Sequence, residues 1–457
     1  MVQPENMDVA VYSPSQRRLV AVVAFFLSQV LSCGLLGQVS VSVAPPALTI
    51  KDSIEISRLA DSDYFIGNLK KDHVAHFSPN GKSFFIVSRK ADLATNSNLY
   101  SIILFKALYP LERPFHRTVL QLRSTTNYPA ISDARWLSDN RTITFLGAIN
   151  NGKPQVYAFQ VGHRRLRQLT HRKGAIIDYR TTMNGRELVY LIPASDSLDK
   201  QTERRFKATI SVTGQALSDI LRGQTGHDLD RHELFAQQIG RHPVELASST
   251  RLEDPTLDLS PDGRFVIVST ALKGEDLNPS WRNFSYSKDD DASQYFDEAD
   301  RYRTTPFTRP LLIDTTTGEA RTLWNGPNWH ANTIAWARDS RSVFLKTLRL
   351  TNQVDAMSVP KSDALPAVDV RVDISTLQWK QIEPNEWPRA QDGKEPVIVS
   401  LEEDVNNPPK LWVEDRQSGK RRMIFDLNPQ LSQKTLGCLA CPMLCTDEIV
   451  SVAQRLG

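Results

Sequence analysis

Leu259-Ser260-Pro261-Asp262-Gly263, followed after one residue by Phe265-Val266-Ile267-Val268, carries the reading of the fold. Proline presets φ inside a turn, the Asp side chain bonds its own backbone, and Gly accepts the positive φ that closes it. The run that follows is short and apolar on both faces. It predicts a strand sandwiched inside a core rather than one laid on a surface.

The same text recurs in both directions along the chain. Phe77-Ser78-Pro79-Asn80-Gly81 precedes Phe84-Phe85-Ile86-Val87, and Trp136-Leu137-Ser138-Asp139-Asn140 precedes Ile143-Thr144-Phe145-Leu146. Met183-Asn184-Gly185 precedes Leu188-Val189-Tyr190-Leu191, and Trp336-Ala337-Arg338-Asp339-Ser340 precedes Val343-Phe344-Leu345. Further strand pairs close the units, at 154–170 with a turn at Gly162, at 311–323 and at 411–421. The turns recur roughly every 45 to 80 residues, enough for a four-stranded blade of about 40 to 50 residues plus loops. One such sheet cannot bury both faces alone, whereas sheets stacked radially can. The fold predicted is therefore all-β, a β-propeller of six to seven four-stranded blades. The expected borders are 73–122, 131–170, 175–247, 255–324, 331–384 and 395–427. Strand-like pieces between Leu48 and Ile66 are expected to supply a seventh blade or to close the ring.

Composition agrees with a large folded body. Of 457 residues, 40% are apolar and 23% charged, so a globular core is expected. A formal net charge of only +3 gives no concentrated basic face, and no nucleic-acid partner is expected. The short basic cluster His163-Arg164-Arg165-Leu166-Arg167 reads as a solvated strand edge or turn. Ahead of the propeller, Arg17-Arg18 precede a nearly all-apolar stretch, Leu19 to Leu36. Such a pattern is an export signal or a membrane anchor, so residues 1–44 are expected to bring the chain to the periplasm or cell envelope. Membrane contact is expected only through that segment. The middle of the chain has no cysteine and must fold without disulfides.

Two stretches look inserted, 200–230 and 272–308, and read as solvated loops. Trp281, Phe284, Tyr286, Tyr295, Phe296 and Trp329 either pack beneath such loops or line a peptide-binding mouth. His73 and His76 read as core or edge residues. Cys438, Cys441 and Cys445 have a spacing that could hold a metal, but they lack a second ligand pair and a structured frame. No metal or cofactor is expected.

The repeated text, above all Phe77-Ser78-Pro79-Asn80-Gly81-Lys82 through Asn96-Ser97-Asn98-Leu99-Tyr100, resembles the propeller of the prolyl-oligopeptidase (S9) serine peptidases. That family includes dipeptidyl-peptidase-like and acylaminoacyl-peptidase-like enzymes and those that open lasso peptides. The text also resembles the propeller of TolB-type proteins. The resemblance covers about residues 50 to 437 and implies a propeller over 48–430. Asp426 to Gly437 resembles the passage from propeller into the α/β-hydrolase domain, so 431–457 is expected to be a junction to a domain absent here. The resemblance places the family's catalytic serine, aspartate and histidine in that domain, so none is carried over. A nucleophile elbow needs Gly-x-Ser-x-Gly, and no two of the 21 glycines lie four apart. The chain is expected to be the non-catalytic propeller portion of such a peptidase, which in intact relatives gates and binds peptide for the hydrolase domain. By itself it is expected to bind peptide weakly or to do nothing, unless it complements a separately encoded hydrolase domain. The alternative is a TolB-like periplasmic module that docks a protein partner.

Overall fold

The computed structural model of the protein describes residues 48–60, 74–107, 115–150, 152–194, 231–246, 252–253, 255–273, 276–279, 304–325, 334–348, 367–387, 396–403, 408–431 and 434. The chain divides into a body, Thr49–Ser432, and a second unit made of Met1–Leu48 and Gln433–Gly457. Only the body is treated below. The export or anchor segment, His73, both insertions for most of their length, the six loop aromatics and the three C-terminal cysteines lie outside the described residues.

The body is a β-propeller, with six antiparallel sheets among the described residues. The first holds β1 (Arg58–Leu59), β2 (His76–Phe77), β3 (Ser83–Asp92), β4 (Ser97–Lys106) and β5 (His116–Ser124). The second runs β6 (Ser132–Trp136), β7 (Thr142–Gly147), β8 (Gln155–Gln160) and β9 (Arg165–Gln168). The third runs β10 (Asp178–Thr181), β11 (Glu187–Pro193), β12 (Arg231–Gln238) and β13 (Val244–Leu246), with β14 (Leu252–Glu253) also on β12. The fourth is β15 (Thr256–Leu259), β16 (Phe265–Lys273), β17 (Thr304–Asp314) and β18 (Ala320–Thr322). The fifth is β19 (Ile334–Trp336), β20 (Ser342–Leu348), β21 (Ala367–Asp373) and β22 (Trp379–Gln381). The sixth shows three strands among the described residues, β23 (Val397–Glu402), β24 (Lys410–Asp415) and β25 (Arg421–Asp426).

The second strand of each sheet explains why the sheets stack. Its side chains alternate between two faces, and in the first four sheets both faces meet a neighbouring sheet. Phe85 and Val87 of β3 join the core shared with the second sheet, while Phe84 and Ile86 join the core shared with the sixth. In β11, Leu188 and Tyr190 face the second sheet, and Val189 and Leu191 face the fourth. In β16, Val266 and Val268 pack toward the third sheet and Ile267 toward the fifth. An uninterrupted apolar run is thus required at each of these strands. Full burial of each such side chain is worth about 1.5 to 3 kcal/mol.

The last sheet packs on the first through Phe105, Val399, Leu411 and Val413. A polar clasp lies beside that core. The fully buried Asn428 accepts from the Ser57 amide at 2.6 Å and donates to the Ser57 carbonyl at 2.9 Å. Of the segment between Leu48 and Ile66, the described residues 48–60 join the first sheet rather than a seventh. Ile50–Ile54 is a short helix, capped by Thr49 and Asp52. β1 extends the free edge of β3 beside β2, pairing Arg58 with Arg89 and Leu59 with Ser88. Two residues of strand at the end of an existing ladder bury Leu59 without founding a new sheet.

The repeated turns build alike. Ser78 Oγ donates to Asn80 Oδ1 and Ser260 Oγ to Asp262 Oδ1, and Thr182 does the same for Asn184. Gly263 sits at φ +79°, where a Cβ would lie 2.8 Å from carbons of Thr182 and Glu187 in the preceding sheet. The residue is therefore fixed by both conformation and space. Successive sheets are also pinned by aromatic donors on their first strands. Trp136 Nε1 donates to the His76 carbonyl (2.9 Å), the Tyr179 hydroxyl to the Asp133 carbonyl (2.7 Å), and Trp336 Nε1 to the Asp258 carbonyl (3.4 Å).

Candidate functional site

The first strands of neighbouring sheets face a common space. Turns of the first, third and fifth sheets and β6 of the second help to line one cavity of about 470 Å³, through Pro79, Met183, Arg338 and Trp136 among others. A second cavity of about 420 Å³ lies between the first two sheets, and His76 and Arg135 border both. His76 stacks on Phe85 with ring centroids 4.7 Å apart, as an edge residue of β2 that closes over the core.

The charged groups that line the two cavities are Arg89, Asp133, Arg135 and Arg338, and a further row of charges lies on the adjacent first strands β10 and β15. In a strand, alternate residues point to opposite sides. Ala134, Trp136, Tyr179 and Leu257 are buried in the sheets, so their neighbours Asp133, Arg135, Asp178, Arg180 and Asp258 turn the other way. Asp133 is set by an irregularity. The pairing of β6 with β7 gains a residue between Ser132 and Arg135, and Asp133 takes φ +48°. A bulge of this kind re-aims a side chain at a local conformational cost. The buried Tyr179 hydroxyl holds the bulged carbonyl in place.

The five charges are not evenly matched. Arg135 lies 3.5 Å from Asp133. Arg180 pairs with Asp178 and also donates to the Tyr179 carbonyl at 2.7 Å. Asp258 has no hydrogen bond and no ion pair within 4 Å on its carboxylate among the described residues. Burial pushes its pKa up to about 6, against the pull of Arg180 and Arg135 and with a further push from Asp178. Burial likewise raises Asp178, with Arg180 opposing.

A stability prediction follows from Asp258. Its folded pKa lies above the unfolded value, so the folded state binds the extra proton. Its contribution is most favourable below about pH 4 and is lost as pH rises through about 6. Asp258→Asn is expected to stabilise the protein by on the order of 2 kcal/mol at pH 8 and by little at pH 4. Urea denaturation at the two pH values measures this, and an equal effect at both would contradict it.

The sequence reading named none of these five residues. The signal was present as Asp-x-Arg twice, at Asp133-Ala134-Arg135 and Asp178-Tyr179-Arg180, each on the strand before a repeated turn. The basic cluster does sit at a turn and strand edge. His163 and Arg164 are exposed in the turn before β9, on which Arg165 and Arg167 are also exposed. Among the described residues, no three His, Cys, Asp or Glu side chains converge as a metal site.

Comparison with known proteins gives fold neighbours only. No protein-family pattern matches the sequence, and no curated protein matches it. Among solved structures, the AtxE2 isopeptidase is 12% identical over 85% of this chain and 56% of its own, with a TM-score of 0.37. The acylaminoacyl peptidase of Pyrococcus horikoshii is 12% identical over 79% of this chain and 54% of its own, with a TM-score of 0.43. TolB from Acinetobacter baumannii is 11% identical over 79% of this chain and 65% of its own, with a TM-score of 0.31. The chain thus spans little more than half the length of the two peptidases it is similar to.

Proposed function

We propose that this chain is a peptide-binding propeller of the S9 peptidase type, which receives its ligand at the space lined by the first strands and carries out no hydrolysis itself. The observation that supports the reading is the row of five charged side chains on three neighbouring first strands, of which Asp133 is re-aimed by a bulge and Asp258 has no ion-pair partner among the described residues. Within the row Asp178 and Asp258 are partly desolvated, and a propeller held only for stability gains nothing from that. The absence of Gly-x-Ser-x-Gly from the sequence supports the non-hydrolytic part. Hydrolytic chemistry, where it takes part, comes from residues outside the propeller. The proposal carries with it an exported chain, released or anchored through residues 1–44.

The test uses the purified full chain and a pool of end-blocked hexapeptides. Calorimetric binding is expected, with no cleavage products by mass spectrometry. Arg135→Ala with Asp178→Ala is expected to weaken binding at least about tenfold, the loss of two charge-assisted contacts. Turnover that survives repurification would overturn the reading. So would binding only to a folded partner from envelope extract, which would point to a docking role of the TolB kind.

A further inference from the structure

Among the described residues, no carboxylate lines the larger of the two cavities. Turns of the first, third and fifth sheets and β6 surround it, and the charged side chains on its wall are Arg135 and Arg338. His76 borders it too and adds no negative charge in either protonation state. The carboxylates of the charged row lie elsewhere. Asp133 borders the second cavity, 3.5 Å from Arg135, and Asp178 and Asp258 border neither. Arg338 is exposed in the turn between β19 and β20, and its guanidinium makes no hydrogen bond or ion pair among the described residues. Asn80 is on the same wall. Its Oδ1 accepts from the Ser78 hydroxyl and the Lys82 amide, which leaves the side-chain NH₂ as a donor.

We infer that this cavity is the seat for a carboxylate of the peptide, an acidic side chain or the C-terminal group, held between Arg135 and Arg338. The inference rests on the peptide-binding reading and assigns the ligand its charge. Guanidinium groups from the second and fifth sheets border one recess with no anion on its wall. Their potentials add there, and the low-dielectric walls of Pro79, Trp136 and Met183 focus the field into the recess. A carboxylate takes two parallel N–H donors from a guanidinium, and such charge-assisted bonds are about twice as strong as neutral ones. Arg135 is available for this. Its contact with Asp133 joins two half-exposed side chains, and an ion pair of that kind holds its partners weakly. A cavity of about 470 Å³ has the size of a small-molecule site, so it takes one end or one side chain of a peptide rather than its whole length.

The experiment measures binding to the full chain by calorimetry at neutral pH. End-blocked hexapeptides that carry glutamate are compared with the same peptides carrying glutamine. The glutamine peptides are also compared with versions that end in a free carboxylate in place of the C-terminal amide. A carboxylate at one of these two places is expected to tighten binding at least about tenfold, and the arm that responds identifies its source. The gain is expected to shrink several-fold between about 0.05 and about 0.5 M salt. Arg338→Gln is expected to abolish the preference, and Arg338→Glu to reverse it. Position 338 is exposed and has no partner to lose, so both variants are expected to keep the parental urea midpoint. Equal binding of charged and neutral peptides, or a preference that survives Arg338→Gln, would overturn the inference and leave the peptide-binding reading standing. Failure of every peptide to bind would overturn both.

Discussion

Gly147→Ala is expected to lower stability by about 3 kcal/mol, although it adds only one methyl group. Gly147 ends β7, where the chain runs against the segment entering β6. A Cβ there would lie 2.3 Å from the Ala130 carbonyl oxygen, 3.2 Å from its carbon and 3.0 Å from a ring carbon of Phe145. The first two contacts are with backbone, and neither they nor the buried Phe145 ring can swing aside as the end of a long side chain would. Ala130, Phe145 and Ala148 are all fully buried, and Ala148 donates to the Pro129 carbonyl at 3.0 Å. Relief would have to come from moving β7 away from β6, which also strips the shared core. Gly162→Ala is the control. Nothing lies within 4 Å of a Cβ at that turn, and its effect is expected within about 0.5 kcal/mol. Urea midpoints of the two variants check the pair, and equal midpoints would show that the close approach at Ala130 is wrong.

Asn428→Ala is expected to be of similar size, about 2 to 4 kcal/mol. The Asn428 side chain satisfies both backbone groups of Ser57, 371 positions away in sequence, from a fully buried position. Alanine leaves the N–H and C=O of the half-buried Ser57 unpaired, each worth about 1 to 3 kcal/mol where water does not replace the lost partner. Both bonds use the Ser57 backbone, so Ser57→Ala should be nearly neutral. A large loss in Ser57→Ala, or none in Asn428→Ala, by urea denaturation would contradict this account of the closure.

The sequence made some of this plain and hid the rest for physical reasons. Runs such as Phe84-Phe85-Ile86-Val87 and Phe265-Val266-Ile267-Val268 are legible because a strand buried on both faces cannot afford a polar residue. The Ser-Pro-Asp-Gly turns are legible because few residues tolerate their backbone. β1 was not legible as an extension of β3. Its two residues carry no period, and their place depends on Asn428 at the other end of the body. The charged row was hidden as well. Over four residues, alternation of charged and apolar side chains looks the same on a solvated edge as on a strand facing a shared space. Asp178 and Asp258 become notable only when β10 and β15 are side by side, and no local pattern reports that neighbour.

Amide hydrogen exchange on Asn428→Ala probes most directly whether the first and last sheets form one closed structure. Loss of protection is predicted in β3 and β4 of the first sheet as well as in β24 and β25, because Phe84, Phe105, Leu411 and Val413 share one core. Deprotection confined to β25 and its flanks, with β3 and β4 exchanging as in the parent, would contradict the closure and with it the space in which the charged row is placed.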